Sequence, residues 1–432
     1  MLKHILTHKI TLLILLGLLL MLPMQSIRDL NQERQAYRTD AIDQIMASAS
    51  GPQQLIGPVL VLPYSREVKV QEGDKVKMVR KYHARFILPE QLNAQVKLEV
   101  TPRRLGIYQA QVYQTNISLT GTLPANPDWQ LPEGAIADEP YLSMALSDAR
   151  GISQIPSVTL SGHLREVLPG AHISDLAGVH VPLPAQQPQG GDFAVQLTLQ
   201  GMEKFSLVPV GRNSHLTMEG NWPHPSFLGD FLPTRRDISK QGFTANWQTS
   251  WFATDMANRF DQIMVRGTEQ LPSFSISLVQ PVDHYQQNER AAKYALLFIG
   301  LTFISFFMFE LLRGLRVHPI QYALVGMGLA IFYLVLLALT EHLGFAWAYL
   351  CAALASVMLN GFYLSHILGG FKPGAGFSIL LGLVYALLFG LLQAEDMALL
   401  LGALLLFLVL ALVMVLTRKL DWYQVMGNTT TD

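Results

Sequence analysis

The order of apolar and polar positions divides this chain into unlike regions. A basic start containing Lys3, His4, His8 and Lys9 precedes an apolar run from Ile10 to Met24. After it, Ile27, Leu30, Arg34, Tyr37, Ala41 and Ile45 recur near one helical face among many charges, until Gly51-Pro52 stops the pattern. Between Gly57 and Tyr285 the signal changes to short apolar or alternating runs separated by Pro and Gly, and from Tyr294 to Thr417 almost everything is apolar.

The polar middle predicts strands. Val59–Leu62 lies between two prolines, and Glu67–Gln71 and Lys75–Leu88 flank Glu72-Gly73-Asp74, a hairpin-like turn. Further strands are expected at Val96–Val100, Ile107–Leu123, Val158–Leu164, Phe193–Leu199, Phe205–Val208, His215–Met218, Gly242–Trp247 and Phe274–Val279. Leu123–Gly134 and Pro182–Gly191 read as loops. The expectation is a β-rich, sandwich-like domain over residues 53–292, with a split into two lobes allowed near Pro182–Gly191.

The apolar end predicts helices that cross a membrane. Tyr294–Leu312 is about 19 residues, which spans roughly 28 Å as a helix, close to one bilayer core. Four more spans follow at Ile320–Thr340, Phe345–Ile367, Phe377–Gln393 and Met397–Thr417, making a five-helix bundle over 293–417; the fourth of the five is short and interrupted by Gly382 and Gly390. Arg313/Arg316, Lys372 and Arg418/Lys419 fall at alternate connections, and Glu341, Glu395 and Asp396 at the others. Basic residues mark the cytoplasmic side, which puts both termini and the tail at 418–432 inside and the large domain outside. The first apolar run suits either a signal peptide or an uncleaved anchor. Leu22-Pro23-Met24-Gln25-Ser26 offers no A-x-A-like cleavage site, so a transmembrane anchor over 1–27 and an exported helix over 28–52 are expected.

Composition adds little to this. Half of the 432 residues are hydrophobic and 15% are charged, with a net charge of −1, so the bilayer is a partner and nucleic acid is not. Cys351 is the single cysteine, so no disulfide forms within the chain.

Several motifs resemble the CreD family. They are Gln54-x-x-Gly57-Pro58-Val59-Leu60-x-x-Pro63, Asp148-x-Arg150-Gly151-Ile152 and Trp222-Pro-His-Pro225-Ser-Phe227-x-Gly229-x-Phe231-Leu-Pro233. Gly242-Phe243-x-Ala245-x-Trp247, Val282-Asp283-x-Tyr285, Lys293-Tyr294, and Glu310 with His318-Pro319-x-Gln321-Tyr322 continue the series almost end to end. The resemblance implies an inner-membrane protein of Gram-negative bacteria associated with cell-envelope integrity, with the large domain in the periplasm. It also implies a Trp near the end of the exported helix, where Ser48–Gly51 has none. It implies no catalytic residues.

Candidate chemistry is sparse. Glu310 lies inside an expected span, where an acid costs roughly 2.5–3.5 kcal/mol on insertion scales. An ion pair with Arg313 and Arg316 is favoured over a proton- or ion-handling carboxylate. Gly344, Ala348, Ala352, Ser356 and Asn360 recur every four residues, a stripe suited to close helix packing with Asn and Ser bonding across helices, and less to a substrate path. Glu341-His342 reads as a solvated loop. Among twelve histidines, His163, His172, His180, His215 and His224 are scattered over separate strands and loops, with no H-E-x-x-H, so no metal or cofactor is expected. No nucleophile-elbow or phosphate-loop motif occurs. Trp222, Phe227, Phe231, Phe243, Trp247, Trp251 and Phe252 are expected mainly in the core, with an exposed subset available to a ligand. Arg235-Arg236 reads as a solvated basic turn or as a contact for anionic lipid or glycan. The leading expectation is a non-enzymatic protein whose exported domain meets envelope lipids, glycans or proteins; the alternatives are a transporter or lipid-handling bundle, and a tethered enzyme.

Overall fold

The computed structural model describes residues 2–72, 75–124, 128–173, 175–184, 190–260, 271–278, 284–313, 317–367, 370–393 and 397–418. The expected turn at Gly73-Asp74, the loop residues Arg316, Glu395, Asp396 and Lys419, the Arg313 side chain and the tail beyond Arg418 lie outside what is described. The chain forms two compact units, one of Asp40–Pro281 and one that combines Met1–Thr39 with Val282–Asp432.

In the first unit the described strands form two sheets. One has nine strands and is ordered Ser226–Gly229, Phe274–Ser277, Lys204–Leu207, Gln53–Glu72, Tyr141–Leu146, Ala177–Pro182, Leu168–Pro169, with Lys75–Ile87 and Ile136–Ala137 also pairing to Gln53–Glu72. The other has eight and runs Arg235–Ser239, Gly242–Ser250, Asn213–Gly220, Gln91–Leu105, Tyr108–Leu123, Gly191–Met202, Ser157–Leu160, His163–Arg165. The expected hairpin is present, with Glu67 opposite Arg80 and Glu72 opposite Lys75. Strand Gln91–Leu105 shows why such segments are legible: Leu92, Ala94, Val96, Leu98 and Val100 are buried and the residues between them exposed. Two pairings are parallel, Gln53–Leu55 with Phe205–Leu207 and Asn213–Gly220 with Gln91–Leu98. One core joins both sheets. Strands from before and after Pro182–Gly191 share each sheet, with Gln53–Leu55 paired to Phe205–Leu207 in one and Gly191–Met202 lying between Tyr108–Leu123 and Ser157–Leu160 in the other, so that loop does not divide two lobes. The unit ends at Pro281, short of residue 292, because the chain from His284 on is helical and packs with the other unit's helices.

The second unit is helical. Helices α1 (Leu2–Leu19) and α2 (Met21–Ala49) lead out of the amino end, and α3 (Trp251–Thr254) is a single turn within the two-sheet unit. After it come α4 (His284–Lys293), α5 (Ala295–Arg313), α6 (Pro319–Leu343), α7 (Phe345–Ile367), α8 (Phe371–Gln393) and α9 (Ala398–Thr417). Among the described residues, four helical runs are long and apolar enough to cross a bilayer: Thr11–Ala49, α6, α7 and α8. The pair α4–α5, bent by 46°, passes the same test when taken together and would make a fifth if it is one span. In α9 the apolar stretch Leu400–Val415 is shorter. Helix α8 starts at Phe371 rather than Phe377, and Lys372 is in its first turn. Gly382 and Gly390 do not break it; a Cβ at either would meet nothing within 4 Å.

Candidate functional site

Glu310 sits near the end of α5 and is 7% exposed. Its carboxylate accepts the Val317 amide at 3.0 Å and the Tyr322 hydroxyl at 2.7 Å. The start of α6 is fixed by a capping box: the His318 ring accepts from the Ile320 amide, and the Gln321 side chain accepts from the His318 amide. That start sets Tyr322 one turn inside the helix, where its ring packs 4.4 Å from Phe306. The acid therefore closes the α5–α6 corner with two donors of its own neighbourhood. The expected Arg316 partner, and the side chain of Arg313, lie outside the described residues.

The stripe on α7 is buried, with Ala348, Ala352, Ser356 and Asn360 each no more than 5% exposed. Among the described residues Asn360 makes no bond across helices; its amide donates to the Ser356 carbonyl one turn back, at 2.9 Å. The cross-helix link is made by Tyr385 of α8, which donates to Ser356 Oγ at 2.7 Å, while Tyr349 donates to the Tyr385 carbonyl at 2.8 Å. A mid-span tyrosine needs a partner for its hydroxyl, and that was the available signal for Tyr385. The small residues do allow close approach: a Cβ on Gly328 of α6 would meet the Asn360 amide at 3.2 Å.

Glu341 corrects the solvated-loop expectation. It belongs to the last turn of α6, its side chain is 11% exposed, and it accepts from Tyr285 at 3.2 Å and pairs with Arg34 of α2 at 3.8 Å. Arg28 also donates to the Ala292 carbonyl at 2.8 Å, and Asn31 to the Tyr285 carbonyl at 3.2 Å. Partners about 250 to 310 positions away carried no sequence signal.

In the two-sheet unit, Phe243 and Trp247 are core, and Trp222, Phe227 and Phe231 pack half-buried against them. Trp222 donates to the His224 carbonyl, and Trp247 to that of Phe231. Trp251 and Phe252 are the exposed subset, their rings 5.0 Å apart with Arg212 over Trp251. Arg235 and Arg236 are not in a turn; they occupy the fully exposed edge strand Arg235–Ser239 of the eight-stranded sheet. Basic residues on an open edge discourage pairing with another chain. Within the helical unit Glu310 belongs to the α5–α6 corner and Asn360 to the α6–α7–α8 packing, and within the two-sheet unit Trp222 packs on the core while the arginine pair lies on an exposed edge strand.

Two arrangements were not foreseen. Asp148-x-Arg150-Gly151 ties the end of α2 to the sheets: Arg150 clasps the Asp148 carboxylate at 2.6–3.0 Å and donates to the Ala47 carbonyl at 2.9 Å. Arg150 holds the Asp148 carboxyl below its usual range. Buried Gln53 donates to Ser50 Oγ at 2.7 Å and to the Asp148 carbonyl at 2.9 Å. A Cβ on Gly151 would collide with the Gln200 carbonyl and the Gln53 amide. His172 and His180, expected apart, have ring centroids 4.4 Å from each other beside Tyr141, whose phenol burial pushes up to about 12. Among the described residues no group of three His, Cys, Asp or Glu could hold a metal ion.

These elements define a polytopic membrane protein in which a two-sheet unit interrupts the series of apolar helices. The profile described as inner membrane protein CreD matches residues 5–423. The chain is 41% identical over 427 residues to the inner membrane protein CreD of Escherichia coli (strain K12), covering 98% of this chain and 95% of that one. It belongs to the CreD family of inner membrane proteins. Solved structures resemble it only slightly. An M1 zinc metallopeptidase from Deinococcus radiodurans (8% identity, TM-score 0.21) and a two-domain M1 zinc metallopeptidase (11%, 0.22) each match 44% of this chain and 42% of their own. Such scores carry no argument about chemistry.

Proposed function

We propose that this is a non-enzymatic inner-membrane protein that supports envelope integrity through its two-sheet unit, placed on the periplasmic side with both termini cytoplasmic. The observation that carries this reading is how the bundle uses its polar side chains. Glu310 is engaged by Val317 and Tyr322, and Ser356 by Tyr385 and Asn360, in short local groups that brace helix contacts. The two-sheet unit, by contrast, offers solvent the Trp251–Phe252 pair and the Arg235–Arg236 edge, a surface suited to envelope lipids, glycans or proteins. Orientation rests on Lys372 and Arg418 falling at ends opposite to Glu341 along the helix order. A photo-crosslinking residue at Phe252 in intact cells should give adducts of envelope components, and one at the edge strand likewise. Adducts at neither position, with normal abundance, would defeat the reading.

A second reading, lipid handling, is favoured by one feature. An apolar cleft of about 820 Å³ lies between α1, α5 and α9, lined by residues including Gly17, Gly300, Phe303 and Leu410. Filling it with Gly300→Leu would impair the envelope phenotype at full abundance if lipid handling is the activity, and leave it intact if the exported unit is the working part.

A further inference from the structure

Three buried polar groups of the helical unit line one small cavity. Oδ1 of Asn31 on α2, the side-chain amide of Asn288 on α4 and the hydroxyl of Tyr333 on α6 each include an atom with no protein hydrogen-bond partner. The three residues are 4%, 7% and 2% exposed, so bulk solvent does not serve them. Ile27, Ala292, Leu336 and Leu337 complete a lining around about 10 Å³. That is room for roughly one water-sized sphere, and three polar side chains line it, the number of partners a buried water typically has.

The surrounding bonds set the polarity of the site. Asn31 Nδ2 donates to the Tyr285 carbonyl, which turns its oxygen toward the cavity. The Thr340 hydroxyl has one proton and gives it to the Leu336 carbonyl. The Asn288 oxygen faces that hydroxyl at 3.4 Å, and its NH₂ is left without a partner among the described residues. With the Thr340 proton already committed the Thr340 oxygen can only accept, so we assign the Asn288 amide turned over, its NH₂ donating to Thr340. The Asn288 oxygen then faces the cavity beside that of Asn31. Two acceptors and one phenol remain, and a water molecule offers two protons and a lone pair.

We infer that one water molecule is bound between Asn31, Asn288 and Tyr333, donating to both amide oxygens and accepting the phenolic proton. Each side chain comes from a different helix. With Arg28 on the Ala292 carbonyl and Arg34 on Glu341, the water completes a polar pin that joins α2 to α4 and α6. In an apolar helix bundle, buried groups left unpaired are costly, and a water with three partners removes that cost.

The sign of one substitution tests this. Tyr333→Phe removes only the hydroxyl. If the hydroxyl binds the water, the full-length protein in lipid nanodiscs should lose a few degrees of melting midpoint. If it binds nothing, the midpoint should stay or rise, because deleting an unpaired buried polar group relieves its desolvation. Adding Asn288→Ala should then cost less in the Tyr333→Phe background than in the wild type, since the water is already weakened. A high-resolution map should show density within hydrogen-bond distance of all three groups. An unchanged or raised midpoint, strictly additive effects, or a midpoint that rises in sodium chloride relative to choline chloride would each overturn the assignment, the last in favour of a cation.

Discussion

Tyr322 donates its phenolic proton to Glu310 across 2.7 Å, and the same carboxylate receives the Val317 amide at 3.0 Å. A carboxylate with two donors at a helix corner has a structural task that explains its presence in an apolar segment. Glu310→Leu should take the carboxylate acceptor from both donors, at about 1–3 kcal/mol each, and lower abundance or the melting midpoint in detergent. Glu310→Gln keeps an accepting oxygen for the Val317 amide, and its NH₂ can donate to the Tyr322 hydroxyl, so it should behave close to wild type. Loss of the envelope phenotype by Glu310→Gln at normal abundance, with Tyr322→Phe silent, would assign the carboxylate a proton-handling role instead.

The clasp of Asp148 by Arg150 predicts a pH dependence. The Asp148 carboxyl is held below its ordinary value, chiefly by the Arg150 side chain. Such a group stabilises the fold above its unfolded pKa of about 3.9, and the contribution is lost as pH falls through the lower folded value. Asp148→Asn should therefore lower the midpoint of the two-sheet unit by a constant amount at pH 5–8. The gap from wild type should close below about pH 4. A gap that widens in acid would contradict the assignment.

Gly151→Ala tests the same corner by volume. The added carbon has no free space beside the Gln200 carbonyl and the Gln53 amide, and overpacking of this kind costs about 1–3 kcal/mol. Differential scanning of the purified protein should show the loss, and an unchanged midpoint would mean that the corner can yield.

How much of this was legible depended on pattern. The hairpin of Gln53–Glu72 with Lys75–Ile87 and the alternating strand Gln91–Leu105 declared themselves, because period two and turn residues coincide there. Tyr141–Leu146 escaped because it is buried at nearly every position, and Arg235–Ser239 because it is exposed at every position; neither alternates. Glu310 was visible as a charge in an apolar run, but its partner Tyr322 depends on the corner between α5 and α6. Glu341 was misplaced because helix α6 runs three residues past Thr340, and its partners Arg34 and Tyr285 are remote in sequence.

The proposed orientation is checked by thiol labelling. Cys351 is the single cysteine, so a Cys351→Ser background is silent. A cysteine at Gly190 should react with an impermeant reagent applied outside the inner membrane, and one at Lys372 should not. The reverse pattern would overturn the orientation.

The last prediction separates scaffold from conduit. Ala352 is 1% exposed on the packed face of α7, so Ala352→Leu should lower abundance or detergent stability by forcing the helices apart. Asn360 spends its amide on Ser356 within its own helix, so Asn360→Ala removes no cross-helix bond. Its cost should stay below the average of about 0.6 kcal/mol measured for hydrogen bonds between membrane helices. Tyr385→Phe removes the bond that does cross from α8 to α7, and should cost more than Asn360→Ala. Substitutions at exposed Phe252, Arg235 and Arg236 should instead weaken the envelope phenotype at unchanged abundance. The measurement is phenotype per unit of protein across both sets. If Asn360→Ala abolishes function at full abundance while the surface changes are silent, the bundle carries the activity and the scaffold reading fails.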